Sequence, residues 1–186
     1  MLRLASTSAT RAKLLERFSI EFEQISIDFD EESIKADRAE AFVYYASKGK
    51  LREALARYGD SETILCADTV IAAKDGSILR KASSREEAYD ILGRISGSEI
   101  AIVTCAQLQR EGLLFVDLSA THYSFHLFDE RELDEYIRSG EWIGKAGACM
   151  VEGFCRRYIA SVRGLESTAM GLQVEKIIPW LGDSRP

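Results

Sequence analysis

Asp68 is the carboxylate in this sequence best placed to do chemistry, because it follows the short apolar run Thr63-Ile64-Leu65-Cys66-Ala67. Open α/β sheets present ligand contacts at the ends of such buried strands. A turn or cap role would put an Asp in the same place, so the groups that could converge on it matter. Between Ser6 and Arg11 a turn of small residues joins a strand to a helix, leaving backbone N–H groups that can hold phosphate oxygens. Arg11 adds a permanent charge on a planar fork; a capped helix with a solvent-facing Arg accounts for the same residues. Lys50, Lys81 and Lys145 are far apart in sequence, and phosphoryl chemistry needs several cations gathered on oxygens where charge builds. Lys145 stands out among them, since Gly144, Ala146 and Gly147 leave room for close approach. No glycine-rich P-loop is present.

Other chemistries find less support. His122 and His126 are four apart, but Thr121-His122-Tyr123-Ser124-Phe125-His126 reads as a strand, so a helical metal pair is not expected. No Ser-His-Asp arrangement is apparent. Cys66, Cys105, Cys149 and Cys155 lack zinc-ligand spacing and read as reduced, mostly buried thiols.

The elements that must position these groups follow from periodicity. Leu2 to Ser6 reads as a strand, and Ser8 as the cap of a helix with Leu14, Leu15 and Phe18 on one face. A second strand is expected from Ile20 to Phe29, running into the acidic group Asp28, Asp30, Glu31 and Glu32. Ala39 to Tyr58, free of Pro and rich in Ala, Leu, Lys and Arg, predicts a long helix carrying Lys50. Two short apolar runs flank Asp68, ending at the turn Lys74-Asp75-Gly76. Ser84 and Glu87 form a capping box for a helix through Leu92, with Gly93 and Gly97 ending it. Ile100 to Gln109 and Leu113 to Phe128 read as a hairpin around Glu111-Gly112. Asp129 and Glu132 start a helix with Leu133, Tyr136 and Ile137 buried. Beyond the loop at Gly144 to Gly147 come a strand from Tyr158 to Val162 and a last helix after Gly171. Helices and strands mixed throughout argue for an α/β fold.

At 186 residues, 46% hydrophobic and 29% charged, the chain suits one folded domain over 1–186. A net charge of −6 disfavours the broad basic face that nucleic acid requires, yet leaves room for a local cationic pocket. No apolar run approaches the roughly 20 residues that span a bilayer, and nothing resembles a secretory signal, so a cytoplasmic location is expected.

Leu4-Ala5-Ser6-Thr7-Ser8, followed by Arg11, Leu14 and Leu15, resembles the amino-terminal signature of the Maf-like nucleotide pyrophosphatases. Ala67-Asp68-Thr69-Val70 is similar to their central signature. The likeness continues in order through Lys81, Ser96-Gly97, Thr104, Lys145-Ala146-Gly147-Ala148 and Gly171-Leu172. It implies a mixed β-sheet flanked by helices, Maf/ITPase-like, with a nucleotide-binding cleft between two lobes. It also implies hydrolysis of a nucleoside triphosphate, ordinary or modified, to the monophosphate and pyrophosphate, dependence on Mg²⁺ or Mn²⁺, and a homodimer. By the same resemblance Asp68 is the general base, and Ser6, Arg11, Glu31, Lys50 and Lys81 complete the pocket. Glu31 and Asp68 are carboxylates of the kind Mg²⁺ accepts.

The chain departs from the family pattern at Ala9 and Thr10 (usually Pro and Arg), Ala82 (Pro), Ile100 (His), Gly144 (Asp) and Gln173 (Pro). Near the base, Thr69 is similar to the dTTP/UTP subgroup, whereas Glu152-Gly153-Phe154 resembles the 7-methyl-GTP subgroup, and Thr10 matches neither. An acceptor-only Glu152 suits guanine donors, so base preference stays open. Two other readings are a nucleotide sensor without turnover and a cell-division regulator.

Overall fold

Thr69 and Thr104 lie side by side on neighbouring strands, and this polar pair divides the apolar floor of the fold in two. The computed structural model describes residues 1–181; residues 182–186 of the expected domain lie outside them. Among the described residues seven strands form one mixed sheet: β1 (Leu2–Ala5), β2 (Phe22–Ile25), β3 (Thr63–Ala73), β4 (Ile78–Leu79), β5 (Glu99–Arg110), β6 (Leu113–Phe125) and β7 (Ile159–Arg163). Their order is β2-β1-β3-β5-β6-β7, with β4 paired to β3. β1 is parallel to both neighbours, and the remaining pairings are antiparallel. This is the mixed α/β architecture that the sequence implied.

Strand periodicity assigns the faces. Ile64, Cys66, Asp68 and Val70 of β3 share a side with Val103 and Cys105 of β5, and α2 (Ala39–Tyr58) covers that side through Phe42, Val43, Ala46, Leu51 and Ala54. Leu65, Ala67, Thr69 and Ile71 point the other way. There, α1 (Ala9–Arg17) and α6 (Val174–Ile177) pack on Ala67, Ala106 and Leu108, while α3 (Arg85–Ile95) and α4 (Glu130–Ser139) pack around Ile71, Ile100 and Ile102. Thr69 and Thr104 sit between these two cores, beneath α5 (Glu166–Ala169), whose Thr168 carbonyl accepts from Thr104 at 2.8 Å.

Three expectations are corrected. Asp68 is not at a strand end: β5 pairs with β3 residue for residue from Ile64↔Gln109 to Ala73↔Ile100, so the strand runs through it. What stops nearby is β1, whose pairing with β3 ends at Leu4↔Leu65, leaving Asp68 beside the turn where β1 departs. β2 is shorter than Ile20 to Phe29, because β1 offers it only four partners. Gly93 does not end α3; burial of Ile95 carries the helix past it, and the turn falls at Gly97 with φ +65°.

Candidate active site

Every residue singled out for chemistry borders one cleft of about 970 Å³. The turn Ser6 to Ser8 and the first turn of α1 form one wall. Ser8 caps α1, its hydroxyl accepting the Arg11 N–H at 3.3 Å, and the helix so started carries Thr10 and Arg11 inward. α2 supplies Lys50 and β3 supplies Asp68 and Thr69. The segment after β4 supplies Lys81, and the loop after α4 supplies Lys145 and Glu152.

Lys50 is the hub. Its Nζ donates to Asp68 Oδ1 at 2.6 Å and to Glu31 Oε1 at 2.6 Å, joining a helix, a strand and the acidic segment. Asp68 is only 4% exposed, and its second oxygen, Oδ2, is buried without a hydrogen-bond partner. Burial pushes the Asp68 carboxyl above its ordinary value, with Lys50 opposing and the Glu31 charge reinforcing the rise. Glu31 goes the other way: burial raises it, but Lys50, Lys81 and Arg80 together outweigh that and hold it low. Two carboxylates on one ammonium therefore differ in character. Cys66, two residues from Asp68 on the same face, is no nucleophile, since burial pushes its thiol up to about 12.

Arg11 is held at three points. Nε donates to the Gly171 carbonyl at 2.7 Å, Nη1 to Ser6 Oγ at 3.0 Å and Nη2 to Thr69 Oγ1 at 3.0 Å. Burial lowers its pKa against the pull of Asp68 and Glu31, yet a guanidinium keeps its proton at any working pH. Three of its five N–H bonds are used; two remain for a ligand. Ser6 Oγ also accepts from the Ser8 N–H at 3.2 Å, so its two lone pairs are engaged and its own hydrogen is left to donate.

Across the cleft Lys145 Nζ donates to Thr10 Oγ1 at 3.0 Å and faces Glu152 Oε1 at 3.4 Å. Lys81 is exposed at the rim, where its backbone bridges to Ala146 and ties two walls together. Neither histidine takes part; both are exposed.

Sequence reasoning missed two contributors and the placement of a third. Arg80 reaches Glu32 at 2.6 Å and Glu31 at 3.7 Å; its place before Lys81 was the available signal. Thr104 needs the β3–β5 register to be seen beside Thr69. Gly49 has no side chain because the Phe29 ring lies against it: a Cβ there would come within 2.2 Å of that ring. Nothing in a helical pattern marks such a gap.

Among the described residues no group of three or more His, Cys, Asp or Glu side chains could hold a metal ion. Glu31 and the unpartnered Asp68 Oδ2 still fit Mg²⁺ or Mn²⁺, because such ions commonly take one or two protein carboxylates and complete their shell with water and substrate phosphates.

The family model described as Maf-like protein matches residues 1–183. A nucleoside triphosphate pyrophosphatase of a Nitratiruptor species is 51% identical over 179 residues, covering 95% of this chain and 96% of its own. One of Helicobacter pylori (strain Shi470) is 40% identical over 175 residues, 94% of this chain and 92% of its own. One of Campylobacter jejuni subsp. jejuni (strain 81-176) is 34% identical over 184 residues, 97% and 100%. The solved structure of a HAM1 protein from Coxiella burnetii aligns with TM-score 0.47 and 13% identity over 67% of this chain and 72% of that one, too distant a likeness to bear on the site.

Proposed function

The chain belongs to the Maf-like family, and from that membership and the cleft we infer that it is a nucleoside triphosphate pyrophosphatase, a hydrolase of the α–β phosphoanhydride bond. The observation that carries the mechanism is Asp68: buried, fixed by Lys50 through Oδ1, and left with Oδ2 unpartnered beside the cleft. In our reading Oδ2 takes a proton from a water molecule as its oxygen attacks the α-phosphorus. The bond from that phosphorus to the bridging oxygen breaks, and pyrophosphate leaves with the electron pair. A carboxylate raised by burial is the better base for this step. Arg11, with two unused N–H bonds, the Ser6 hydroxyl and the rim cation Lys81 offset charge on the phosphates. Lys50 keeps Asp68 and Glu31 together where their mutual repulsion would part them.

Glu31 and Asp68 would hold the divalent cation, Asp68 through the Oδ2 lone pair that does not take the proton. Such an ion, when bound, neutralises phosphate charge and polarises the attacked group. Thr10, Lys145 and Glu152 form the end of the cleft that we assign to the nucleoside base. The Lys145 ammonium offsets the Glu152 charge there, so the pair offers both donor and acceptor to a base edge. Modified nucleotides are candidate substrates on the same ground.

We further propose that residues 1–186 act as one domain and that the enzyme is cytoplasmic. No described helix is long and apolar enough to cross a membrane, and the four cysteines are free and buried. For the assembly we propose a homodimer, supported by the row of exposed Leu114, Val116 and Leu118 on one face of β6. The deciding experiment measures pyrophosphate release from a panel of ordinary and modified nucleoside triphosphates with Mg²⁺ and with Mn²⁺. Release from at least one is expected. Tight binding with no release would leave a nucleotide sensor instead.

A further inference from the structure

Thr104 touches no part of the cleft, yet its hydroxyl decides how Arg11 is held. The Thr168 carbonyl can only accept, so the 2.8 Å bond between them uses the Thr104 hydrogen. Thr104 Oγ1 and Thr69 Oγ1 are 2.9 Å apart, and with the Thr104 hydrogen committed, Thr69 must be the donor. Thr69 then turns a lone pair to Arg11, whose Nη2 donates to it at 3.0 Å. Every hydroxyl hydrogen in the row points away from the guanidinium, and the direction is fixed by a backbone carbonyl.

The packing around this row is equally tight. Gly171 has φ +99°, and a Cβ there would lie 3.2 Å from Thr69 Oγ1 and 3.3 Å from Arg11 Nε. Its carbonyl takes the third bond from Arg11. Thr104 is fully buried between the two apolar cores, where a hydroxyl without partners would be costly.

We propose that Thr104 is a positioning residue: through Thr69 it locks the Arg11 guanidinium so that its two unused N–H bonds face the polyphosphate. The Thr69 hydroxyl, whose hydrogen goes to Thr104, thereby serves Arg11 and does not read the nucleotide base. This rests on the reading of Arg11 as a phosphate contact.

The test is binding of inorganic tripolyphosphate by calorimetry, alongside turnover of the best triphosphate substrate. Thr104→Val keeps the volume and removes the hydroxyl; it should weaken tripolyphosphate binding by about 3- to 10-fold, the range for one hydrogen bond between neutral groups. Thr104→Ser should bind as the wild type does. On an Arg11→Lys background, which lacks the planar guanidinium that Thr69 holds through Nη2, Thr104→Val should add almost nothing; a merely structural role would give additive losses. If Thr104→Val does not fold, Thr69→Val cuts the chain one link nearer the guanidinium and must show the same loss. Wild-type affinity in a folded valine variant, equal losses in valine and serine variants, additivity with Arg11→Lys, or no tripolyphosphate binding by the wild type would each overturn the assignment. Relay-dependent tripolyphosphate binding without pyrophosphate release from any nucleotide would sink the enzymatic reading and leave this one standing.

Discussion

At the scale of single residues, Asp68 shows chemistry and stability pulling in opposite directions. Its carboxyl is raised above the ordinary 3.8 chiefly by burial. A carboxyl whose pKa is higher in the fold than in the unfolded chain contributes its full stability below the unfolded value and loses it as pH rises through the folded value. Near neutral pH, ionised Asp68 therefore weakens the fold while being the form that can accept a proton. Asp68→Asn should lower turnover by at least about 100-fold, the lower end for loss of a general base. The variant should nonetheless melt no lower than the wild type at neutral pH, a comparison that thermal denaturation makes directly. Substantial turnover in the folded variant would remove Asp68 from the mechanism.

Whole elements deliver these residues, and how legible each element was depended on whether its signal is local. The span of α2 could be read directly from composition and the absence of Pro, and the cap at Ser8 from one residue type before an apolar stripe. The hairpin of β5 and β6 followed from Glu111-Gly112 between two apolar runs. By contrast, the continuity of β3 through Asp68 depends on ten residues of β5 that arrive later in the chain, and the Thr69–Thr104 seam depends on their register. The convergence of Lys50, Lys81 and Lys145 could be proposed from chemistry, but only the fold brings them to one cleft. Gly49 is the sharpest case. In an exposed helix interior, replacing Gly by Ala stabilises by about 1 kcal/mol; here the added methyl would meet the Phe29 ring at 2.2 Å. Phe29 lies two residues before Glu31, so the collision should push the acidic segment off Lys50. Gly49→Ala should lower kcat/KM by about 10-fold or more, as small displacements of positioning groups do, with helix content unchanged by circular dichroism. Adding Phe29→Ala removes the obstacle and should restore part of the loss; no recovery would mean that the segment is displaced for another reason.

For the molecule as a whole, the consequence is that a bound triphosphate would fasten together parts that otherwise meet mainly along the sheet. Arg11 and Ser6 belong with the core under α1 and α6, Lys145 and Glu152 with the core under α3 and α4, and Lys50 with α2 on the opposite face. The Lys145–Thr10 bond at 3.0 Å links two of these walls across the cleft. The protein's net charge of −6 opposes an anionic ligand at long range; beyond about 8 Å physiological salt screens that repulsion, so the nearby cations dominate. A ligand that binds only the folded chain, present at 100 times its Kd, stabilises by about 2.7 kcal/mol. For a domain of this size each kcal/mol moves the melting temperature by about 2–4 °C, so a non-hydrolysable triphosphate should raise Tm by roughly 5–11 °C, in one transition, if residues 1–186 act as a single domain. The two carboxylates on Lys50 make the cation part of that ligand: with a chelator replacing Mg²⁺ at the same triphosphate concentration, Asp68 and Glu31 would face the phosphates uncompensated. The shift should then fall to less than half. Scanning fluorimetry with and without Mg²⁺ reads both effects. A full shift in chelator would show that Lys50, Arg11 and their neighbours suffice to hold the phosphates, and would remove Glu31 and Asp68 as a cation site.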